Sequence, residues 1–290
     1  MTPGPLARDV FGHSFQNPVL LAAGTAGFGR ELDGIIDLES LGGIVTKAVS
    51  LEPRQGNPSP RVAEFPGGML NSVGLANPGL DRVRADALPW LVARLTRAKI
   101  LVNVVGFREE EYAAVIGGLE STAGIAGYEL NLSCPNTSAG GVEFGADPDT
   151  VRRVVRSCRA VTRRALIAKL SPALPDPAAI AEAAVDAGAD GITAINTLPG
   201  YLAAARTPRL GNGNGGVSGP ALLPIGVQAV RRIRERLPDT PVIGVGGVRS
   251  AADVRQYLDA GASLVAIGTA QLADPRLPER IIRELEEGDG

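Results

Sequence analysis

Few residues in this chain are equipped for chemistry, and one is a cysteine in an unusual setting. Cys134 lies in "NLSCPNTSAGG" (131–141), between Asn131 and Asn136, where an apolar run ends. A free thiol has a pKa near 8.5, so a few per cent is thiolate at neutral pH. Beside a carbon α to a carbonyl, such a group can remove a proton as general base. The surroundings favour this use. The two asparagines can orient an amide-bearing substrate, Pro135 stiffens the turn, and the glycine-rich sequel can act as a lid that excludes water. A metal or nucleophile–base role lacks partners. The one histidine, His13, is far away near the N-terminus, and the second cysteine, Cys158, is 24 positions on. Cys158 sits in "VRRVVRSC", on the face a helix would bury, and reads as packing; His13 reads as structural or solvated. Two lysines stand in apolar runs: Lys47 in "GGIVTKA" and Lys169 in "ALIAKLS". Lys47 suits a carboxylate or phosphate, and Lys169 can sit against an electron-rich ring. A Schiff-base role is open to either, with no second feature in its favour. Glycines in "GVGGV" and "AIGTA" let backbone N–H groups approach an anion.

Something must bring these groups together. Eight short apolar segments read as strands: 18–24, 42–48, 100–106, 127–133, 165–171, 191–197, 241–247 and 263–269. Most are separated by stretches of helical periodicity, such as 147–165 and 176–189, with Asp147 or Asp149 and Asp176 as N-caps. The strands are apolar at nearly every position, as parallel strands covered by helices are. Eight β-then-α units in 290 residues predict an α/β protein, a (β/α)₈ TIM barrel forming one domain over 1–290. A doubly wound sheet fits eight units less well.

In such barrels the active site lies at the C-terminal ends of the strands. Read in order, those ends carry Gly24-Thr25, Thr46-Lys47, Asn103, Asn131 leading to Cys134, Lys169 with Ser171, Asn196-Thr197, Gly246-Gly247 and Gly268-Thr269. Polar groups in aliphatic strands are costly unless satisfied, so this ring implies a polar ligand. Glycines after strands seven and eight imply a phosphate. Two connections, 49–80 and 198–219, are too long for simple turns and are expected to be functional or mobile.

Composition narrows the partners. The net charge is −2, with 29 basic and 31 acidic residues interspersed, and no basic run points to nucleic acid or a membrane patch. The N-terminus lacks a signal-peptide core, and no apolar run approaches a membrane span. A cytoplasmic protein is expected, and the two cysteines agree weakly with a reducing compartment.

With these motifs assembled, the chain resembles the dihydroorotate dehydrogenases. It is most like their cytoplasmic, cysteine-using class, and within that the catalytic subunit of the NAD-linked type (class 1B). The likeness runs through "NPVLLAAGTAGFG", "GGIVTKAVSLEPRQGNPSPR", "GMLNSVGLANPG", "NLSCPNTSAGG", "INTLPG", "GGVSGPALLP", "GVGGV" and "AIGTA". It implies bound FMN, with its phosphate on Gly246, Gly247, Gly268 and Thr269 and Gly219 nearby. Thr25, Lys47, Asn103, Asn131, Lys169 and Ile195 would line the rest. Dihydroorotate would be held by Lys47, Asn71, Ser72, Val73, Gly74, Leu75, Asn131, Asn196 and Thr197, with Cys134 as base. No metal site is implied.

The resemblance further implies orotate as product, in de novo pyrimidine synthesis. It implies a homodimeric core completed to a heterotetramer by a subunit with FAD and an iron–sulfur cluster, through which electrons reach NAD. This chain lacks the cysteines such a cluster needs. Ala23, Tyr201 and Ala204 depart from the family's usual residues. Competing expectations are a self-sufficient fumarate-using homodimer, an FMN enzyme acting on dihydropyrimidines, and a phosphate-binding barrel with no redox role.

Overall fold

The computed structural model describes residues 4–133, 135–136 and 142–288. All eight expected strands form, each ending before its apolar run does: β1 (Val19–Leu21), β2 (Gly43–Val45), β3 (Lys99–Val104), β4 (Ile125–Asn131), β5 (Ala165–Leu170), β6 (Gly191–Ala194), β7 (Val242–Val245) and β8 (Leu264–Ile267). They pair in parallel in chain order, and β8 pairs with β1 to close the barrel. This is the (β/α)₈ barrel the alternation predicts.

Side chains alternate across each strand and divide the core in two. Leu20, Val45, Leu101, Ile167, Ile243 and Leu264 face one another inside the barrel. A larger layer, with Val19, Ile44, Val102, Tyr128 and Leu166, packs outward against the helices. A hairpin of Arg8–Val10 and His13–Phe15 supplies Val10 and Phe15 to the interior cluster. His13 Nε2 lies 3.1 Å from the carbonyl of Ala126, so its role is structural.

Among the described residues the α-helices of five or more residues are α1 (Leu88–Arg94), α2 (Glu109–Leu119), α3 (Pro148–Val161), α4 (Pro177–Asp186), α5 (Leu223–Arg236), α6 (Ala251–Asp259), α7 (Thr269–Ala273) and α8 (Leu277–Gly288). Asp147 caps α3 by accepting from the Thr150 amide, and Asp176 caps α4 through Ala178 and Ala179. Between β1 and β2 only two short 3₁₀ turns form, Arg30–Leu32 and Leu38–Ser40; α8 packs against β1. Among the described residues, no helix is long and apolar enough to cross a membrane.

Cys158 lies fully buried on α3, and desolvation pushes its thiol up to about 12. It therefore stays protonated at neutral pH. An alkylating reagent applied to the folded protein at pH 8 is expected to leave Cys158 unmodified, and to reach it only after denaturation. Peptide mass spectrometry reads both states.

The two long connections are not irregular. Val62–Phe65 and Gly68–Asn71 come from the first, and Leu198–Tyr201 and Asn214–Ser218 from the second. Together they build one four-stranded antiparallel sheet. Its inner face buries Ala63, Leu70 and Leu210. Pairing between two distant loops satisfies their backbone groups, a solution that neither loop reveals alone. Tyr201 is exposed on this added sheet.

Candidate active site

The polar residues gather on the barrel interior above the aliphatic layer. Asn103 on β3 and Glu129 on β4 sit opposite each other in register, and Lys169 on β5 sits opposite Thr193 on β6. Asn103 Nδ2 donates to Glu129 Oε1 at 2.7 Å, and Thr193 Oγ1 donates to Glu129 Oε2 at 2.8 Å. The Lys169 ammonium is 3.6 Å from Glu129 Oε1. All four side chains are buried. The contact between Thr193 and Glu129 spans two strands, so it crosses the interior.

One step further along β4, Asn131 begins a second network. Its Oδ1 accepts from Ser133 Oγ at 2.8 Å and from Asn196 Nδ2 at 3.2 Å. Asn196 Nδ2 also reaches Ser133 Oγ at 2.5 Å, and Asn196 Oδ1 accepts from the Thr197 amide. Tyr112 fixes the backbone below by donating its hydroxyl to the Asn131 carbonyl at 2.8 Å, and its ring meets Phe144 edge-on. Asn71 joins from the added sheet. Its Nδ2 donates to Gly216, and a Cβ placed on Gly216 would collide with the Thr197 side chain. Asn71, Asn131, Asn196 and Thr197 are therefore linked by direct contacts.

The segment Ser72, Val73, Gly74 and Leu75 is held by two asparagines outside it. Asn57 donates its amide N–H to the Val73 carbonyl and its Nδ2 to Ser72 Oγ at 2.7 Å. Asn77 is buried, donating to Ser50 Oγ and the Leu75 carbonyl while accepting from Gly79. Lys47 follows β2 with its backbone amide bonded to Gly27 O. Its side chain is half-buried, and among the described residues its ammonium has no ion-pair or hydrogen-bond partner.

Opposite these, the glycines form a cradle. Gly247 has φ +74°, and a Cβ there would come within 2.5 Å of the Leu223 amide nitrogen, so the close approach of β7 to α5 requires glycine. Gly246 lies under Leu222 and Ile195, with its carbonyl accepting from Tyr257 Oη at 2.8 Å. A Cβ on Gly268 would meet only Ala22 and Thr25, at 3.8 and 4.0 Å, so it would fill open space beside Thr25. Thr269 Oγ1 donates to Ser218 Oγ at 2.7 Å, bringing Gly219 to the same place. Ile195 thus meets Gly246, Thr25 lies beside Gly268, and Thr269 bonds Ser218 next to Gly219.

Two features bear on what the barrel end can hold. Asn103 Oδ1 is buried with no hydrogen-bond partner among the described residues, an arrangement that costs roughly 1–3 kcal/mol unless a bound group satisfies it. Lys169, paired with the buried Glu129 carboxylate, and Lys47, with no partner among the described residues, stand at the same barrel end. The residues therefore fit a polar, anionic group that offers a hydrogen-bond donor to Asn103. Among the described residues no cluster of three or more histidine, cysteine or acidic side chains can hold a metal.

Cys134 and residues 137–141, the expected base and most of the expected lid, lie outside the described residues. On either side of them, the backbone of Pro135–Asn136 pairs antiparallel with Val142–Glu143. Burial raises the Glu143 carboxyl above its ordinary range, opposed by a hydrogen bond from Ser171.

Glu129, Ser133, Thr193, Asn57 and Asn77 were not among the sequence-level candidates. Glu129 gave the same signal as Asn131 two positions later, a charged group in an apolar strand. The two bracing asparagines give no signal of their own, since their partners come from folded loops.

Comparison with known proteins agrees with this geometry. A family model described as dihydroorotate dehydrogenase matches residues 5–288. Curated relatives named "Dihydroorotate dehydrogenase B (NAD(+)), catalytic subunit" include one from Cutibacterium acnes, 45% identical over 97% of this chain and 92% of its own length. Others are from Pelobacter propionicus, 44% identical over 96% and 91%, and from Geobacillus kaustophilus, 44% identical over 97% and 89%. With its closed barrel, its ring of strand-end amides and lysines, and a match over nearly its whole length, this chain belongs to the dihydroorotate dehydrogenase family.

Proposed function

We propose that this chain oxidises (S)-dihydroorotate to orotate, for pyrimidine synthesis, with FMN bound at the barrel mouth. The observation that carries the reading is the Lys47 ammonium, which has no partner among the described residues, at the same barrel end as the Asn71–Asn131–Asn196 amide cluster. That combination suits a small ring bearing amides and a carboxylate. Lys47 would pair with the carboxylate, while Asn71, Asn131, Asn196, Thr197 and the Ser72–Leu75 backbone would hold the ring amides.

Gly246, Gly247, Gly268, Thr269 and Gly219 would hold the FMN phosphate, and Thr25, Asn103, Asn131, Lys169 and Ile195 the flavin body. When bound, FMN supplies the acceptor for the hydride that leaves C6. The residue assigned to the C5 proton is Cys134, whose neighbour Ser133 is already fixed by Asn131 and Asn196. That proton is acidified by the adjacent carbonyl, so a thiolate suffices as base. The Lys169 ammonium places positive charge where a reduced ring would carry negative charge.

The relatives' name supports a partner subunit and NAD as acceptor. The reading places FAD and an iron–sulfur cluster on that partner, in a heterotetramer around a homodimeric core. Purified chain mixed with FMN is expected to take up one flavin per barrel and, once reduced, to pass electrons to NAD only when the partner subunit is added. A preparation that binds no FMN would overturn the flavin assignment. Direct reoxidation by fumarate without a partner would overturn the NAD assignment.

A further inference from the structure

Glu129 has no part in the chemistry above, yet it is the most deeply placed charge in the barrel, 1% exposed. A buried carboxylate must be paired and hydrogen-bonded to persist. Here each oxygen takes a defined donor, Asn103 Nδ2 on Oε1 and Thr193 Oγ1 on Oε2, and the Lys169 ammonium stands 3.6 Å from Oε1.

The consequences follow from hydrogen-bond polarity. An ionised carboxylate only accepts, so Asn103 must turn its NH₂ towards Glu129. The Asn103 carbonyl oxygen is then left over, and it is one of the buried polar atoms that find no partner among the described residues. Lys169 is held by charge from one side and makes no hydrogen bond to Glu129 at that distance, so its N–H groups remain for a ligand. One residue thus sets both an acceptor and a cation, on the two strands that flank its own, at the same end of the barrel.

We infer that Glu129 is a positioning residue for the cofactor. It fixes the Asn103 carbonyl to receive a ring N–H, and it holds and partly offsets the Lys169 ammonium facing the adjacent electron-rich edge. Through that offset it lowers the ease with which the flavin takes up electrons. The inference rests on the FMN reading above and adds a residue to it.

The test uses whole protein loaded with FMN in three variants: E129Q, E129D and T193V. FMN dissociation constants are measured by flavin fluorescence, and flavin midpoint potentials by spectroelectrochemistry. E129Q is expected to bind FMN at least tenfold more weakly. Its flavin should be easier to reduce, by at least tenfold in the reduced-to-oxidised equilibrium, because a nearby negative charge is gone. E129D keeps the charge on a shorter arm and should restore the potential while binding FMN more weakly than wild type. T193V removes only the donor on Oε2 and should weaken FMN binding severalfold, which keeps the test available if E129Q does not fold. Wild-type affinity and potential in E129Q, or wild-type affinity in T193V when E129Q is unfolded, would overturn the inference whatever the thermal stability. A wild-type protein that takes up no FMN would instead sink the flavin reading itself.

Discussion

Cys134→Ala is expected to slow dihydroorotate oxidation by roughly 10²- to 10⁴-fold, the range for loss of a general base, while leaving FMN bound. The assignment follows from chemistry at a known place in the chain. Ser133, directly before the cysteine, is tied to Asn131 and Asn196 at the barrel mouth. The C5 proton of dihydroorotate is acidic enough for a thiolate but needs a positioned acceptor. Cys134→Ser should keep a small residual rate, because a hydroxyl is a much poorer base. The pH profile separates a base from a packing role. In the wild type kcat/KM should rise with pH as the thiolate fraction grows, and that rising limb should vanish in Cys134→Ala. Rapid mixing of each FMN-loaded variant with substrate measures the chemical step directly. A Cys134→Ala variant that reduces its flavin at the wild-type rate would show that another group takes the proton.

Lys47→Ala should produce the second large effect, a loss in dihydroorotate affinity of roughly 10²-fold, from about 3 kcal/mol for removing one partner of a desolvated charge pair. The reasoning is that Lys47 is half-buried with no partner among the described residues, so its charge is available to an incoming carboxylate. The comparison that isolates the pair uses dihydrouracil, which has the ring without the carboxylate. Its affinity should be poor for wild type and nearly unchanged by Lys47→Ala. Equal proportional losses for both compounds would mean that Lys47 shapes the site rather than binding the carboxylate. Absorbance changes of the bound flavin on titration report both affinities.

Much of this architecture is legible in the sequence because parallel barrel strands are nearly all apolar, so their polar exceptions stand out. Asn103, Asn131 and Lys169 are visible in this way, and the structure places them where the strand-end rule expects. The glycine cradle is legible for a related reason. Backbone packed as tightly as Gly247 against Leu223 tolerates no side chain.

What escapes the sequence is whatever depends on contacts between distant segments. The four-stranded sheet joins residues near 70 to residues near 216, and neither loop alone displays a partner. The bracing of Ser72–Leu75 by Asn57 and Asn77 is hidden for the same reason. Glu129 was visible as an anomaly, but its role depends on Thr193 meeting it across the barrel interior. Strand ends are hidden too: β6 ends at Ala194, three residues before its apolar run does, because the chain turns there into the added sheet.

The most direct test of the central claim is an anaerobic titration of the FMN-loaded chain with (S)-dihydroorotate. The visible flavin band should bleach in proportion to substrate added, with one orotate formed per flavin reduced. A flavin that stays oxidised with excess dihydroorotate, although dithionite reduces it, would contradict the proposed function.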